Sequence, residues 1–179
     1  IGGHTYSKNT YSYAAAEVIV PHVLGNFYNF LFETTSWVSI KDNTSLFLAF
    51  GGIPLKNGQI SQGGVGSHIQ KDYLKKAALK GVNFINVSPL KSDLEGVGNI
   101  EWLPLKPNTD VALMLALCYE LNKAGIINND FIYRYTVGFK KFLSYLNGSS
   151  DGIIKSADWA SEIVGINKKV ILNLVDKIK

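Results

Sequence analysis

The sequence predicts an α/β fold built around a parallel sheet. An apolar, aromatic-rich run, "SLFLAF" (45–50), and a second run, "VNFINVSP" (82–89), read as buried strands. A helical run, "HIQKDYLKKAALK" (68–80), lies between them and stops at Gly81. Strand, helix and strand in that order make one βαβ unit, whose crossover is right-handed and whose strands are parallel.

The elements follow in chain order. Residues 13–24 read as a short apolar helix with Ser12 as N-cap, bent or restarted at Pro21, which has no backbone donor. Gly51 and Gly52 end the first strand. A glycine-rich loop, "NGQISQGGVGSH" (57–68), leads into the second helix, where Ser67 and Gln70 form a capping box. "EW" (101–102) ends a third short strand. "NTDVALMLALCYELNKAG" (108–125) is a strong helix capped by Asn108 or Thr109, with Asp110 in the first turn to complement the dipole. From residue 126 onward the pattern is helical throughout. Asn128, Ser156 and Asn167 are caps, and Gly138, Gly148 and Gly165 are stops. Two units are therefore expected, 1–125 and 126–179, the second a helical extension.

The bulk numbers narrow the function classes. The chain has 179 residues, 46% of them hydrophobic and 18% charged, with a net charge of +4. That is ordinary globular composition. The lysines are scattered and read as solvated helix faces, so no nucleic-acid partner is expected. Cys118 stands alone, which excludes an internal disulfide and a cysteine zinc cluster, and it is expected to be buried and inert. No apolar run approaches the ~20 residues that span a bilayer, so no direct membrane span is expected. The chain begins at Ile1 without methionine and ends inside a helical pattern, which suggests a piece of a longer protein.

Parallel sheets bind ligands beyond the carboxyl ends of their strands. Here those ends are "GGIPLKN" (51–57) and "SPLKSD" (88–93). They do not form a dinucleotide fingerprint. Glycines 63, 64 and 66 come well after the first strand, and Ser88 stands where an acid would close the second. Ser12 poses a separate question. It opens an apolar segment with no signalled base or oxyanion hole, so it is either a plain cap or an oxygen with a task other than nucleophilic attack.

Three blocks carry a resemblance. "NTYSYAAAEVIVPHVLG", "WLPLKPNTDVALMLALCYEL" and "DFIYRYTVGFKKFLSYLNGSSDGIIKSADWASEIVGI" together resemble the molybdopterin-dependent S- and N-oxide reductases, which include dimethyl sulfoxide, trimethylamine N-oxide and biotin sulfoxide reductases. The resemblance covers nearly the whole chain. It implies a Rossmann-like domain inside a larger enzyme, which would be inactive on its own.

The implied cofactors are molybdenum and bis(molybdopterin guanine dinucleotide). Ser12 is implied as the side chain that ligates the metal, and so as the catalytic residue. The metal would lower the hydroxyl pKa, which removes the need for a base. The implied reaction transfers oxygen from a small-molecule sulfoxide or amine N-oxide to Mo(IV), with two electrons and two protons releasing water. An electron-donor protein or a quinol-linked cytochrome would supply the electrons. The implied compartment is periplasmic, with cytoplasmic relatives as the alternative.

The other site residues come from the same resemblance. Glu17 either hydrogen-bonds a pterin or faces water. Thr35 and Ser36 donate to pterin or phosphate oxygens. Gly51 and Gly52 let backbone N–H groups approach a pyrophosphate, with a simple tight turn as the alternative, and Asn57 adds a polar group. Ser88, Pro89 and Lys91 stand at the guanosine end, where relatives carry Asp and Arg. Asp110 reads the guanine edge, because one carboxylate can accept from both N1–H and N2–H2. His22 reads as a hydrogen-bonded structural histidine, with a catalytic acid as the alternative, and His68 resembles a loop histidine of the relatives, with helix capping as the alternative. The sequence departs from the family around the ligand: Asn9 and Thr10 replace Gly-Asp before Tyr-Ser, and Tyr13 and Ala14 replace Thr-Gly after it. A remnant or interaction module of the same fold, without cofactor, is the alternative function.

Overall fold

The computed structural model describes residues 2–6, 12–61 and 64–179. Asn9, Thr10 and Gly63 lie outside the described residues. The centre of the molecule is a parallel sheet of β1 (Leu46–Phe50), β4 (Asn83–Val87) and β5 (Ile100–Leu103), in the order β1-β4-β5. Leu46 pairs with Asn83 and Phe50 with Val87 on one side of β4, and Phe84 pairs with Ile100 on the other. The βαβ expectation holds: α4 (Gln70–Leu79) carries the chain from β1 to β4. A two-residue hairpin of β2 (Ile60–Ser61) and β3 (Gly64–Val65) interrupts that crossover. The sequence analysis did not foresee it.

β4 is the middle strand, and its four buried residues serve two cores by simple alternation. Ile85 and Val87 face one side. There they join Leu103 and Leu105, the inner face of α5 (Asp110–Lys123), and Ala157, Ala160, Val164, Ile171 and Leu174 of α8 (Ala157–Val164) and α9 (Lys168–Ile178). Phe84 faces the other side, with Ala49, Leu74, Ala77, Leu94 and Val97. The sheet is thus covered on both faces. The last two helices, α8 and α9, lie on the same core as α5.

The remaining helices are α1 (Ala14–Val23), α2 (Phe27–Phe32), α3 (Trp37–Asn43), α6 (Asn129–Tyr135) and α7 (Phe139–Leu146). Local capping explains several starts. Asn128, Ser156 and Asn167 each accept a first-turn N–H, as expected. Gly138 does not simply stop a helix. It sits at φ 85° in the N-cap position of α7.

Four expectations need correction. Ser12 is not the cap of α1, because that position belongs to Tyr13, and α1 begins one residue later than a Ser12 cap requires. Pro21 neither ends nor restarts the helix; α1 runs through it to Val23, since only its last turn lacks a donor. The Ser67–Gln70 capping box does not form. Ile69 holds the N-cap position, and the Gln70 amide instead donates to the carbonyls of Ile53 and Pro54 at 3.4 and 3.5 Å. Cys118 is exposed rather than buried, because α5 presents to the core the faces carrying Ala112, Leu113, Ala116 and Leu117. The residues crowding the sulfur still push its thiol pKa up.

Candidate functional site at the carboxyl ends of the strands

The chain leaves β1 through a tight turn. Gly51 and Gly52 have φ of 79° and 74°, a region that a side chain reaches only with strain. A Cβ on Gly51 would meet nothing within 4 Å, whereas one on Gly52 would lie 2.3 Å from Asp93 Cβ. Gly52 is therefore required by a neighbouring loop, and Gly51 only by its backbone angle. Both N–H groups point inward: Gly51 donates to Val87 O at 2.9 Å and Gly52 to Ala49 O at 3.3 Å. They join strand ends and are already occupied. What the turn offers a ligand is the open space above Gly51.

The loop after β4 is held from inside. Ser88 is fully buried, and its hydroxyl donates to Asp93 Oδ2 at 2.5 Å while accepting from the Leu90 N–H at 3.2 Å. The buried Asn86 amide donates to the carbonyls of Leu90 and Lys91 at 3.1 and 3.2 Å. Its Oδ1 is buried without a hydrogen-bond partner among the described residues. Trp102 of β5 donates its indole N–H to Ser88 O at 2.8 Å, and the Ile53 N–H donates to Asp93 O at 2.6 Å. Pro89 and Lys91 ride on the outside of this loop, exposed. Lys91 also lines a cleft of about 330 Å3 with Leu94, Glu95 and Trp102.

Asp110 is the first residue of α5 and half-buried. No side chain caps this helix. Thr109 turns its hydroxyl to Lys106 O at 2.7 Å, and Asn108 takes a left-handed φ of 62° to make the entry turn. Asn57 is exposed in the 3-10 turn Leu55–Gln59 that follows the β1 end.

A second set of expected residues lies on the first three helices. Ser12 is exposed in the turn before α1, and the Tyr13 ring stacks on Phe27 with centroids 5.6 Å apart. Glu17 is half-buried and accepts from the Tyr28 hydroxyl at 3.4 Å. It lines a cleft of about 570 Å3 that adjoins, through Asn26, one of about 640 Å3 lined by Thr35. Ser36 caps α3 by accepting from the Ser39 N–H at 3.2 Å, which leaves its own proton to donate.

The structure therefore gathers Gly51, Gly52, Ser88, Pro89 and Lys91 at one sheet edge and sets Glu17 and Thr35 in the α1–α2 clefts, with Ser36 next in the chain at the start of α3. The residues that hold the β4 loop, Asn86, Asp93 and Trp102, were missed. The quoted "SPLKSD" contained a signal for one of them, a serine and an aspartate close enough in sequence to close a turn.

A cleft of about 710 Å3 also opens at the opposite, amino ends of the strands, where Lys177 pairs with Glu101. Among the described residues no group of three or more His, Cys, Asp or Glu is placed to hold a metal ion, and no helix is long and apolar enough to cross a membrane. By donor type alone the exposed Lys91 ammonium suits a phosphate, the Asp110 carboxylate suits paired N–H donors, and the turn at Gly51 is unobstructed. The hard hydroxyl oxygen of Ser12 is the donor type that a high-valent metal takes.

No protein-family profile matches the chain. Individual relatives do. The chain is 39% identical over 171 residues to the biotin sulfoxide reductase of Cereibacter sphaeroides, covering 96% of itself and 23% of that protein. It is 36% identical over 178 residues to the trimethylamine-N-oxide reductase of Haemophilus influenzae, covering 97% of itself and 21% of that protein. It is 34% identical over 173 residues to the dimethyl sulfoxide/trimethylamine N-oxide reductase of Rhodobacter capsulatus, with 97% and 21% covered. The chain thus spans less than a quarter of the length of these relatives. Among solved structures, acetylene hydratase from Pelobacter acetylenicus superposes with a TM-score of 0.55 over 75% of this chain and 16% of that one, at 22% identity, which speaks to the fold alone. Over nearly its whole length, then, this chain is homologous to one segment of the biotin sulfoxide, trimethylamine N-oxide and dimethyl sulfoxide reductases.

Proposed function

We propose that the chain is the cofactor-binding portion of a molybdenum S- or N-oxide reductase. The observation that carries this reading is identity of 34 to 39% to three such reductases, running through almost every element of the chain. The open, basic-and-acidic strand edge supports it. When bound, the molybdenum and its two molybdopterin guanine dinucleotides supply the two-electron reduction that breaks the S–O or N–O bond.

The chain's own residues bind and orient. Lys91 offers a point charge to a phosphate, and Asp110 offers both carboxylate oxygens to the guanine N–H groups. Gly51 permits close approach, and Asn57 and Pro89 border it. Thr35 and Ser36 donate their hydroxyl protons to pterin or phosphate oxygens, and Glu17, already engaged with Tyr28, accepts from a pterin N–H. The buried Ser88 hydroxyl does not reach a ribose; it shapes the loop. Ser12 would hold the metal through its hydroxyl oxygen, and the neighbouring Tyr13 is itself stacked on Phe27. In the parent enzyme a sulfoxide or amine oxide is the substrate, an electron-donor protein or quinol-linked cytochrome the reductant, and the periplasm the compartment. Residues 126–179 form the extension toward a neighbouring domain.

The test uses the full-length protein. It should contain molybdenum and release GMP on acid hydrolysis, and Ser12→Ala should lower oxide reduction by about tenfold or more. Unchanged metal content and turnover in that variant would remove Ser12 from the metal. The competing reading, a remnant or interaction module without cofactor, draws on the inward-turned N–H groups of Gly51 and Gly52. It expects neither molybdenum nor GMP.

A further inference from the structure

The loop 88–93 is tied to every strand of the parallel sheet. β1 reaches it through the Ile53 N–H on Asp93 O at 2.6 Å and through the bare main chain of Gly52, which leaves no room for a Cβ beside Asp93. β4 reaches it through Asn86, which holds two loop carbonyls, and through Ser88, which holds the Asp93 carboxylate at 2.5 Å. β5 reaches it through the Trp102 indole on Ser88 O at 2.8 Å. Loops at strand ends are ordinarily mobile and solvated. This one is fastened by two fully buried polar residues, Asn86 and Ser88, whose hydrogen bonds run within the loop or to it. Burying such groups is costly unless the arrangement is needed. What the fastening fixes is the path of the main chain at Lys91, whose carbonyl is held while its ammonium stays outside.

We infer that Asn86, Ser88, Asp93 and Trp102 form a hydrogen-bonded clasp that positions Lys91 for an anionic nucleotide at the carboxyl edge of the sheet. Asp93 is the keystone, because its side chain closes the loop onto β4 and its main chain closes it onto β1. These are positioning residues and touch no substrate. The inference rests on the reading that this edge holds a guanine dinucleotide.

The test measures two quantities in the full-length protein: guanine nucleotide released per chain by acid hydrolysis, and hydrogen exchange at the Leu90 and Asp93 amides. Asp93→Ala should speed both amides by about tenfold and cut nucleotide content by about threefold. Asp93→Asn, whose amide oxygen still accepts from Ser88, should restore both to near wild type. Lys91→Ala should cut nucleotide content similarly while leaving the exchange rates alone, and the double variant should lose no more than either single one. Should Asp93→Ala not accumulate in folded form, Ser88→Ala removes the same bond together with the acceptor of the Leu90 N–H, so that variant is read at the Asp93 amide and in nucleotide content alone, with the same expectations. Wild-type nucleotide content in the Asp93 or Ser88 variants, or additive losses in the double variant, would overturn the clasp while leaving the cofactor reading intact. A wild-type protein without guanine nucleotide would overturn both.

Discussion

Lys155 offers the sharpest test of how the helical half is held together. It is only 1% exposed, at the end of the loop between α7 and α8. Its ammonium donates to Asp151 Oδ2 at 2.6 Å and to Ile153 O at 2.5 Å. It lies 4.1 Å from the Tyr145 ring centroid and 5.7 Å from that of Trp159. The charge-assisted bond to Ile153 O contributes about 2 kcal/mol, a desolvated cation over an aromatic ring contributes about 2 more, and the pair with the solvated Asp151 is screened. Desolvating the ammonium costs several kcal/mol, so the polar part nearly cancels. What remains is the stem packed between two rings; alanine keeps its first carbon, so three methylenes are lost at about 0.8 kcal/mol each, about 2.4 kcal/mol in all. Lys155→Ala should therefore destabilise the α7–α8 junction by about 2.4 kcal/mol, while Lys155→Met, which keeps the stem and drops the ion, should cost under about 1 kcal/mol. Native-state hydrogen exchange at the Asn147 and Gly152 amides, bonded to Leu143 O and Gly148 O, reports the local opening without requiring two-state unfolding of a large protein. The alanine variant should exchange roughly fiftyfold faster there. A change under about threefold for alanine, or a methionine variant as weak as alanine, would refute the reasoning. The pair also fixes a sign with pH. The Asp151 carboxyl is held below its ordinary value, first by the Lys155 ammonium and then by the Ile153 N–H. A depressed folded pKa means that its contribution is present above the unfolded carboxyl value, about 3.9, and is lost as pH falls through the folded value. Protection of this loop should thus weaken below about pH 4 in the wild type and much less so in Lys155→Met.

Gly52→Ala places a Cβ 2.3 Å from Asp93 Cβ and 2.7 Å from its carbonyl oxygen at φ 74°. It should cost about 3 kcal/mol in denaturant unfolding, against about 1 kcal/mol for Gly51→Ala, where the surroundings are open; equal costs would contradict the close approach. Cys118 has an exposed side chain but a thiol pushed up by its crowded neighbours. Iodoacetamide should label it more slowly in the folded protein at pH 8 than in the denatured chain, and the gap should narrow as pH rises; equal rates at pH 8 would contradict the crowding.

The parts of the fold that the sequence disclosed are those settled within a few residues. β1 is a continuous apolar run and β4 is apolar but for its two asparagines, because β4 is buried on both faces and β1 nearly so, and a short, largely apolar run between breakers has few other uses. Asn128, Ser156 and Asn167 were legible as caps because a cap bonds its own helix. Ser67 and Gln70 show the limit. Their spacing satisfies the capping box, but Gln70 is claimed by the carbonyls of Ile53 and Pro54 on another element. Lys155 was invisible for the same reason, since Tyr145 and Trp159, which enclose it, belong to two different helices. So was the exposure of Cys118, which depends on which faces of α5 the neighbouring helices choose to cover.

The site divides along the same line, with a chemical consequence. The glycine turn after β1 could be read from sequence, but the direction of its N–H groups could not, because Val87 on the paired strand settles where Gly51 donates. With those donors turned inward and the Ser88 hydroxyl held by Asp93, the main chain at β1 and the side chain at the end of β4 are spent on closing the sheet. Under the proposed function, an anionic ligand at this edge would be met instead by side chains on the loop tips, above all the exposed Lys91. Exposed point charges are screened within about 8 Å at physiological salt, whereas aligned N–H groups at a pyrophosphate are not so easily weakened. Affinity here must therefore come from geometry more than from charge. That is why the bonds that hold the Lys91 main chain matter as much as the ammonium itself.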